Sequence, residues 1–453
     1  MRSILYIDCH DLGTSLGCCG SGYASTPNID RIAQEGAVFT GHFAACPICG
    51  PSRAAMHYGR YPHRMNIYGN STYPPAGDPP SLAKTFRAAG YRTALIGSWK
   101  TNGDAFSAGY GTAVPLPHDG ERMERDLAEA TGGGRRPFFV HLSFDLVHRP
   151  FGLDHDPNLA ASLELPSYIP DTMETRADIA ALALNIERLD ALVGKALAVL
   201  ERASLLDGTV VVFTADHGIA VGRAKHTLYD PGLRTAFIVR APGLVGSGLR
   251  PGCLVSNVDD YPTLCGLAGV QAPGGLDGAS FAAAFADPDF RGRNSVFSSF
   301  TYGQRSGMQY YSPARSLRSG RFKYIRNFTD IPYYLDTDWL ARFFHDRSAI
   351  ASNPLYGNAS PPEEFYDLNV DPDERCNLLV PAQILAADAS AALAGMRTEL
   401  GRILAEGEDE IIAGSVKSKK DSPVVQQWVR PEGREGYVLR YDMFSETAER
   451  PFP

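Results

Sequence analysis

The 453-residue chain lacks any apolar run approaching the ~20 residues that a membrane-crossing helix needs. It also lacks an excess of basic charge. Its 43 Lys and Arg stand against 51 Asp and Glu, a formal net charge of -8 at pH 7. That balance argues against nucleic acid or an acidic membrane surface as the main partner. Internal repeats and low-complexity tracts are absent, which excludes a repeat architecture. Cysteine is sparse: Cys9, Cys18, Cys19, Cys46, Cys49, Cys253, Cys265 and Cys376, at irregular spacings unlike a small secreted disulfide framework. Cys46 and Cys49 form a CxxC, but no second ligand pair at similar spacing completes a zinc knuckle. "GGGRRP" at 132–137 lacks the Gly-Lys-Ser/Thr ending of a phosphate loop and reads as a connector. The opening "MRSILYIDCH" is too short and too soon polar, at Asp8, for a signal peptide. The cytoplasm is therefore the expected location, or the periplasm if a leader has been removed. Without a secretory signal, the glycosylation sequons at Asn70, Asn327 and Asn358 read as chance matches.

What is present is a large apolar complement, 44% of residues, enough to bury a core without disulfides and to build two or three domains. "ILYI" (4–7), "TALIG", "FFVHLSF", "TVVVFTA" and "AFIVR" read as strands apolar on both faces. Between them, "STPNIDRIAQEGA" carries helix signals, with Thr26 as N-cap, Pro27 in the first turn and Gly36 near the stop. A long helix is expected over about 177–203, its buried stripe running through Ile179, Leu182, Leu189, Leu192, Val193 and Leu197. Wholly apolar strands alternating with helices predict an α/β unit over 1–293, a mainly parallel sheet covered on both faces. After about Arg293, strand-and-turn pieces and a helix near 383–406 predict a smaller α+β domain over 294–453. Its tail from Ser415 is expected to be an extended arm, a means of bridging subunits in a homo-oligomer.

The chemistry concentrates in "CPICGPSRAAMHYGR", 46–60. Pro51 suits a helix start, which places Cys49 near the positive end of a helix dipole, where a thiolate or another anion is favoured. On the residues alone, Cys49 is either a nucleophile of lowered pKa or a buried cysteine preceding a helix.

Cys49-x-Pro51-x-Arg53 resembles the motif at which type I sulfatases, members of the alkaline phosphatase superfamily, convert cysteine to formylglycine. The similarity continues through "AAMHYGRYP", although Tyr58 stands where threonine is usual before Gly59. It extends to "HDLGTSLGCCG…TPNIDRIAQEGAVF", "PFFVHLSFDLVHRPF" and "VVFTADHG…KHTLYDPGLR", and to "RSLRSGRFKYIRN" and "EEFYDLNVDPDERCNLL" towards the C-terminus. The resemblance implies an alkaline-phosphatase-like fold and hydrolysis of small-molecule or saccharide sulfate esters. It also implies a formylglycine-generating enzyme as partner and a divalent cation, calcium by family habit, with manganese or zinc as alternatives. One hydroxyl of the hydrated aldehyde attacks sulfur; the other later loses its proton and expels sulfate, an exit a plain serine or cysteine lacks.

By the same resemblance, Cys49 is nucleophile and metal ligand, Arg53 holds it, and Asp11, Asp216 and His217 are metal ligands. The family's first opening Asp is His10 here, with Asp8 two residues earlier on the same side of a strand, so either completes the shell. Asp8 also reads as a buried, hydrogen-bonded carboxylate. Lys225 matches the lysine that grips the transferred group, and His148 a histidine that binds the group or protonates the leaving oxygen. Asn70 lies where the related phosphonate monoester hydrolases have a substrate-contacting Asn, though a turn asparagine reads equally well. His141 and His226 read as packing or supporting histidines. The main departure is "GSWK" at 97–100, where most sulfatases have Gly-Lys-Trp-His: Ser98 replaces the lysine, and Lys100 offers a charge at a shifted position. That change favours a phosphonate monoester or phosphodiester hydrolase as the alternative, with an inactive sulfatase-like binding protein behind it. His63, Tyr68, His118, Arg149 and Tyr302 are candidates for the pocket rim.

Overall fold

The computed structural model describes residues 1–70, 79–99, 105–115, 120–152, 154–287, 289–305, 308–328, 360–380, 384–407 and 409. Its larger sheet has eight strands: β1 (Ser3–Cys9), β2 (Ala37–Phe43), β3 (Arg92–Gly97), β4 (Thr112–Val114), β5 (Phe138–Phe144), β6 (Thr209–Ala215), β7 (Arg234–Arg240) and β8 (Val255–Ser256). They lie in the order β4-β3-β5-β1-β6-β7-β2-β8. Pairing is parallel except on either side of β7. The central strands β1, β5 and β6 are buried almost throughout, as continuous apolar runs require when helices cover both faces.

The nine α-helices among the described residues are α1 (Pro27–Gln34), α2 (Cys49–Tyr58), α3 (Leu82–Ala88), α4 (Gly120–Thr131), α5 (Pro157–Ser162), α6 (Met173–Arg202), α7 (Asp230–Leu233), α8 (Asp260–Ala268) and α9 (Ala387–Glu406). Strand alternation sorts the core into two layers. Leu5, Ile7 and Cys9 of β1 pack with α1, α4 and α6; Ile4 and Tyr6 face α3, α8 and Met56 of α2. α6 starts four residues before the expected point, because Thr172 and Thr175 form a reciprocal capping box. Thr26 precedes α1 as expected but makes no side-chain cap: its hydroxyl accepts from Gly17 N and donates to Asp30.

A second, antiparallel sheet, ordered β12-β11-β10-β9, comprises β9 (Val296–Arg305), β10 (Met308–Arg318), β11 (Phe322–Asn327) and β12 (Glu363–Asp367). One face carries α9. The other packs Phe300, Ala314, Ile325 and Tyr366 against Cys46, Ile48, Leu228 and Leu233. This contact presses on both chain segments that flank the functional cluster. The expected C-terminal arm lies outside the described residues.

A polar junction reinforces that contact. Lys323 donates to Asp230 Oδ1 at 2.8 Å, Arg318 to Asp230 Oδ2 at 3.2 Å, and Tyr229 to Glu364 Oε2 at 2.8 Å. Glu374 accepts from the Asp230 amide through its side chain and from Arg223 through its backbone oxygen. Burial, opposed by Lys323 and reinforced by Asp230, pushes the Glu374 carboxyl from its ordinary 4.5 up to about 8. Between those two values the folded chain binds more protons than the unfolded chain, so stability falls as pH rises. Glu374→Gln should therefore gain urea stability relative to the parent as pH is raised from about 5 to about 8.5, with little difference at the lower end.

Candidate active site

Neighbouring parallel strands deliver the cluster. β1 and β6 end side by side, with Asp216 N donating to Cys9 O at 3.1 Å, so His10–Asp11 and Asp216–His217 emerge at the same sheet edge. Asp11 takes a left-handed backbone (φ 51), which an aspartate tolerates, and its amide donates to Asp216 Oδ1 at 3.0 Å. The next turn passes so close that a Cβ on Gly218 would lie 1.8 Å from the Pro231 carbonyl oxygen; glycine is required there. α2 points its N-terminus at the same place, beginning at Cys49.

Six side chains converge, with a seventh at the rim. Cys49 Sγ lies 3.4 Å from His217 Nε2, which is 3.4 Å from Asp11 Oδ1 and 3.6 Å from Asp216 Oδ2. Lys225 Nζ donates to both Asp11 oxygens, at 2.9 and 2.8 Å. His10 Nδ1 is 3.0 Å from Asp216 Oδ2 and 3.7 Å from Asp11 Oδ1. His148 stands at the rim, 43% exposed, with Nε2 4.0 Å from Asp11 Oδ2 and its ring edge-on to His10. One ligand atom each from Asp11, Cys49, Asp216 and His217 lie within 4.8 Å of one another, as do those of His10, Asp11, Cys49 and His148.

The donor set suits a cation. His217 Nδ1 sits 3.0 Å from Gly218 O, leaving Nε2 to face the carboxylates. His10 is buried, yet neither ring nitrogen has an aligned hydrogen-bond partner, an arrangement that is costly unless something else engages it. Charge points the same way. Burial opposes ionisation of Asp11, yet Lys225 and the neighbouring imidazoles hold its carboxyl well below the usual range. Burial likewise opposes that of Asp216, where His217, His10 and Arg53 prevail. Burial would raise the Cys49 thiol, but Lys225, His10 and His217 bring it well below the ordinary value. The Lys225 ammonium, disfavoured by burial, is secured by Asp11 and Cys49.

Beneath the cluster lies Arg53, 1% exposed. Its guanidinium donates to Asp216 Oδ2 at 3.2 Å, to Asp8 Oδ2 at 2.5 Å and to Ser143 Oγ at 2.9 Å. Asp8 is thus engaged away from the convergent ligands: Oδ2 meets Arg53, and Oδ1 faces His141 Nε2 at 3.3 Å. This corrects the expectation that Asp8 and His10 serve equally in a metal shell. Two residues of strand set Asp8 about 6.6 Å below His10. His141 is a supporting residue, its Nδ1 2.9 Å from Tyr110 OH.

The remaining candidates divide. Asn70 Oδ1 accepts from Gly50 N at 2.9 Å, one residue from Cys49. Ser98 donates to Asp145 at 3.4 Å, while Lys100 and His118 lie outside the described residues. Arg149, expected at the pocket rim, is committed instead to Asp178, Ala220 O and the face of Phe151. His63, Tyr68 and Tyr302 are buried, His63 against Phe297 and Tyr61, and Tyr68 OH donates to His63 O at 3.4 Å; rim positions for them are likewise corrected. His226, left-handed at φ 69, is buried beside Phe300.

Four further residues take part. Ser52 Oγ donates to Asp216 O and accepts from Asn257 Nδ2 at 2.8 Å, and Ser143 holds Arg53. His57, four residues after Arg53 and so on its face of α2, packs with tilted rings against Trp99 and His141. The i,i+4 spacing could have flagged His57; Ser143 and Asn257 carried no local signal.

Removing Arg53 would strand two buried carboxylates. Arg53→Ala should lower unfolding free energy by about 3–5 kcal/mol in urea denaturation, far more than loss of an exposed ion pair.

Residues 4–270 match the sulfatase family model, and 221–339 match that of the N-sulphoglucosamine sulphohydrolase C-terminal region. An ulvan-active sulfatase of Formosa agariphila is 27% identical over 379 residues, covering 80% of this chain and 72% of the relative. Arylsulfatase A of Bos taurus is 27% identical over 453 residues, covering 86% of each. Among solved structures, a 2-O GAG sulfatase superposes with TM-score 0.68 at 22% identity over 91% of this chain and 94% of the other. The phosphonate monoester hydrolase of Agrobacterium radiobacter does so with TM-score 0.68 at 20% identity, covering 90% and 96%. These two likenesses establish the shared fold.

Proposed function

The chain belongs to the sulfatase family and is a sulfuric ester hydrolase; from that premise we propose that it cleaves a sulfate ester on a saccharide, using a formylglycine made from Cys49 by a formylglycine-generating enzyme. The observation that carries this reading is the convergence of Cys49 with Asp11, Asp216, His217 and Lys225 in one buried cluster. The saccharide class is supported by the relatives, one of them active on ulvan. When formed, the hydrated aldehyde supplies a hydroxyl nucleophile and a second hydroxyl through which sulfate leaves. Asp11, Asp216, His217 and His10, beside position 49, would hold a divalent cation, which would supply Lewis acidity to the reacting groups.

The chain's own residues do the rest. Arg53 fixes the first turn of α2 against Asp8 and Asp216, which sets where position 49 points. Lys225 brings a charge that water does not screen to the place where negative charge grows on the transferred group. His148 holds its Nδ1 2.6 Å from Arg149 O, which leaves Nε2, 4.0 Å from Asp11 Oδ2, to deliver a proton to the departing sugar oxygen. Ser98 in place of the family lysine favours a second reading, a phosphonate monoester or phosphodiester hydrolase at the same site.

The test has two stages. Mass spectrometry of the alkylated tryptic peptide 32–53 should show one blocked thiol, at Cys46, and an aldehyde at position 49. Parallel rates on an aryl sulfate, a phosphonate monoester and a phosphate diester should then favour the sulfate, and Cys49→Ala should reduce that rate by about a thousandfold or more. Faster phosphonate turnover would select the second reading. No turnover from protein with confirmed aldehyde and bound metal would indicate a binding protein.

A further inference from the structure

We propose that the cation of this site is a first-row transition ion, manganese or zinc in class, rather than calcium. The inference rests on the metal-dependent reading above and names the ion. Calcium takes six to eight oxygen ligands, and its affinity follows the number of charged ones. This site offers two imidazoles among its donors. His217 is oriented for ligation, since Gly218 O engages Nδ1 at 3.0 Å and Nε2 lies 3.4 Å from both Cys49 Sγ and Asp11 Oδ1. His10 is 1% exposed, and both its ring nitrogens lack an aligned hydrogen-bond partner. Its Nδ1 nevertheless stops 3.0 Å from Asp216 Oδ2. That is the spacing of two donors sharing one ion, without the alignment of a hydrogen bond.

Charge counts equally against calcium. Two carboxylates reach the site, and one of them, Asp11, already holds the Lys225 ammonium through both oxygens. The third nearby acid, Asp8, supplies nothing, being bound to Arg53 and turned to His141. Imidazole replacing carboxylate at position 10 thus removes a hard anionic oxygen and adds a borderline nitrogen, a change that costs calcium most and suits a first-row transition ion better.

The purified full-length chain, stripped with a chelator, would be equilibrated with equal concentrations of Ca²⁺, Mn²⁺ and Zn²⁺, desalted, and assayed for metal content. About one transition ion per chain should remain, with calcium near background. Mn²⁺ alone should raise the melting temperature at concentrations where Ca²⁺ does not, and pulsed EPR of the Mn²⁺ form should show nitrogen coupling. His10→Asp should improve Ca²⁺ binding by at least about tenfold, narrow the preference for Mn²⁺ and weaken the nitrogen coupling, because it restores an anionic oxygen. Should His10→Asp misfold by circular dichroism, His10→Asn serves as the second variant and should still lower Mn²⁺ retention. Retention of calcium over both transition ions, or Mn²⁺ bound without nitrogen coupling, overturns the assignment. Sulfate-ester turnover supported by calcium alone would overturn it while leaving the proposed function intact.

Discussion

The whole arrangement depends on one buried cation, the Arg53 guanidinium. It sits on the first turns of α2 and bridges Asp8 on β1 to Asp216 at the end of β6. Two strands and a helix that are far apart in sequence are thereby tied at one point, and the tie is electrostatic. A charge buried this deeply is tolerable only when paired, so neither the acids nor the arginine can be moved independently. The direction of Cys49, four residues back along the chain, follows from that constraint.

Above Arg53 the charges alternate. Asp216 is shared with His10, Asp11 holds Lys225, and His217 and Cys49 face both acids. Each group's ionisation is sustained by its neighbours against the cost of burial. The pocket is therefore charged before any ligand arrives, and under the proposed function a tetrahedral anion would meet Lys225 and the imidazoles already in position. Such preorganisation is what lowers a barrier when negative charge shifts during reaction.

The smaller sheet contributes without entering the cluster. Lys323, Arg318, Glu364 and Glu374 grip the stretch from Arg223 to Asp230, which has little regular structure and carries Lys225. Arg223 lies over the ring of Tyr229 at 3.8 Å, closing that stretch on itself. A loop that must hold a buried ammonium needs support from elsewhere, and the C-terminal unit supplies it through buried pairs and the apolar face around Phe300 and Ile325.

Much was legible in the amino-acid order. Continuous apolar runs announced the parallel sheet, because helices on both faces demand them, and Cys49-x-Pro51-x-Arg53 with the segments at Asp11 and Asp216 marked the site, because their chemistry is written in residue type and spacing. Other matters were not. Asp8 and His10 look alike on a one-dimensional reading, since both lie near the end of β1. Only the strand's rise, which leaves Asp8 level with Arg53 and His10 level with Asp216, separates their roles. Arg149, His63, Tyr68 and Tyr302 likewise looked available until packing committed them elsewhere. Residue identity determines what chemistry a side chain can perform; which partner it meets depends on distances across the fold that sequence spacing does not encode.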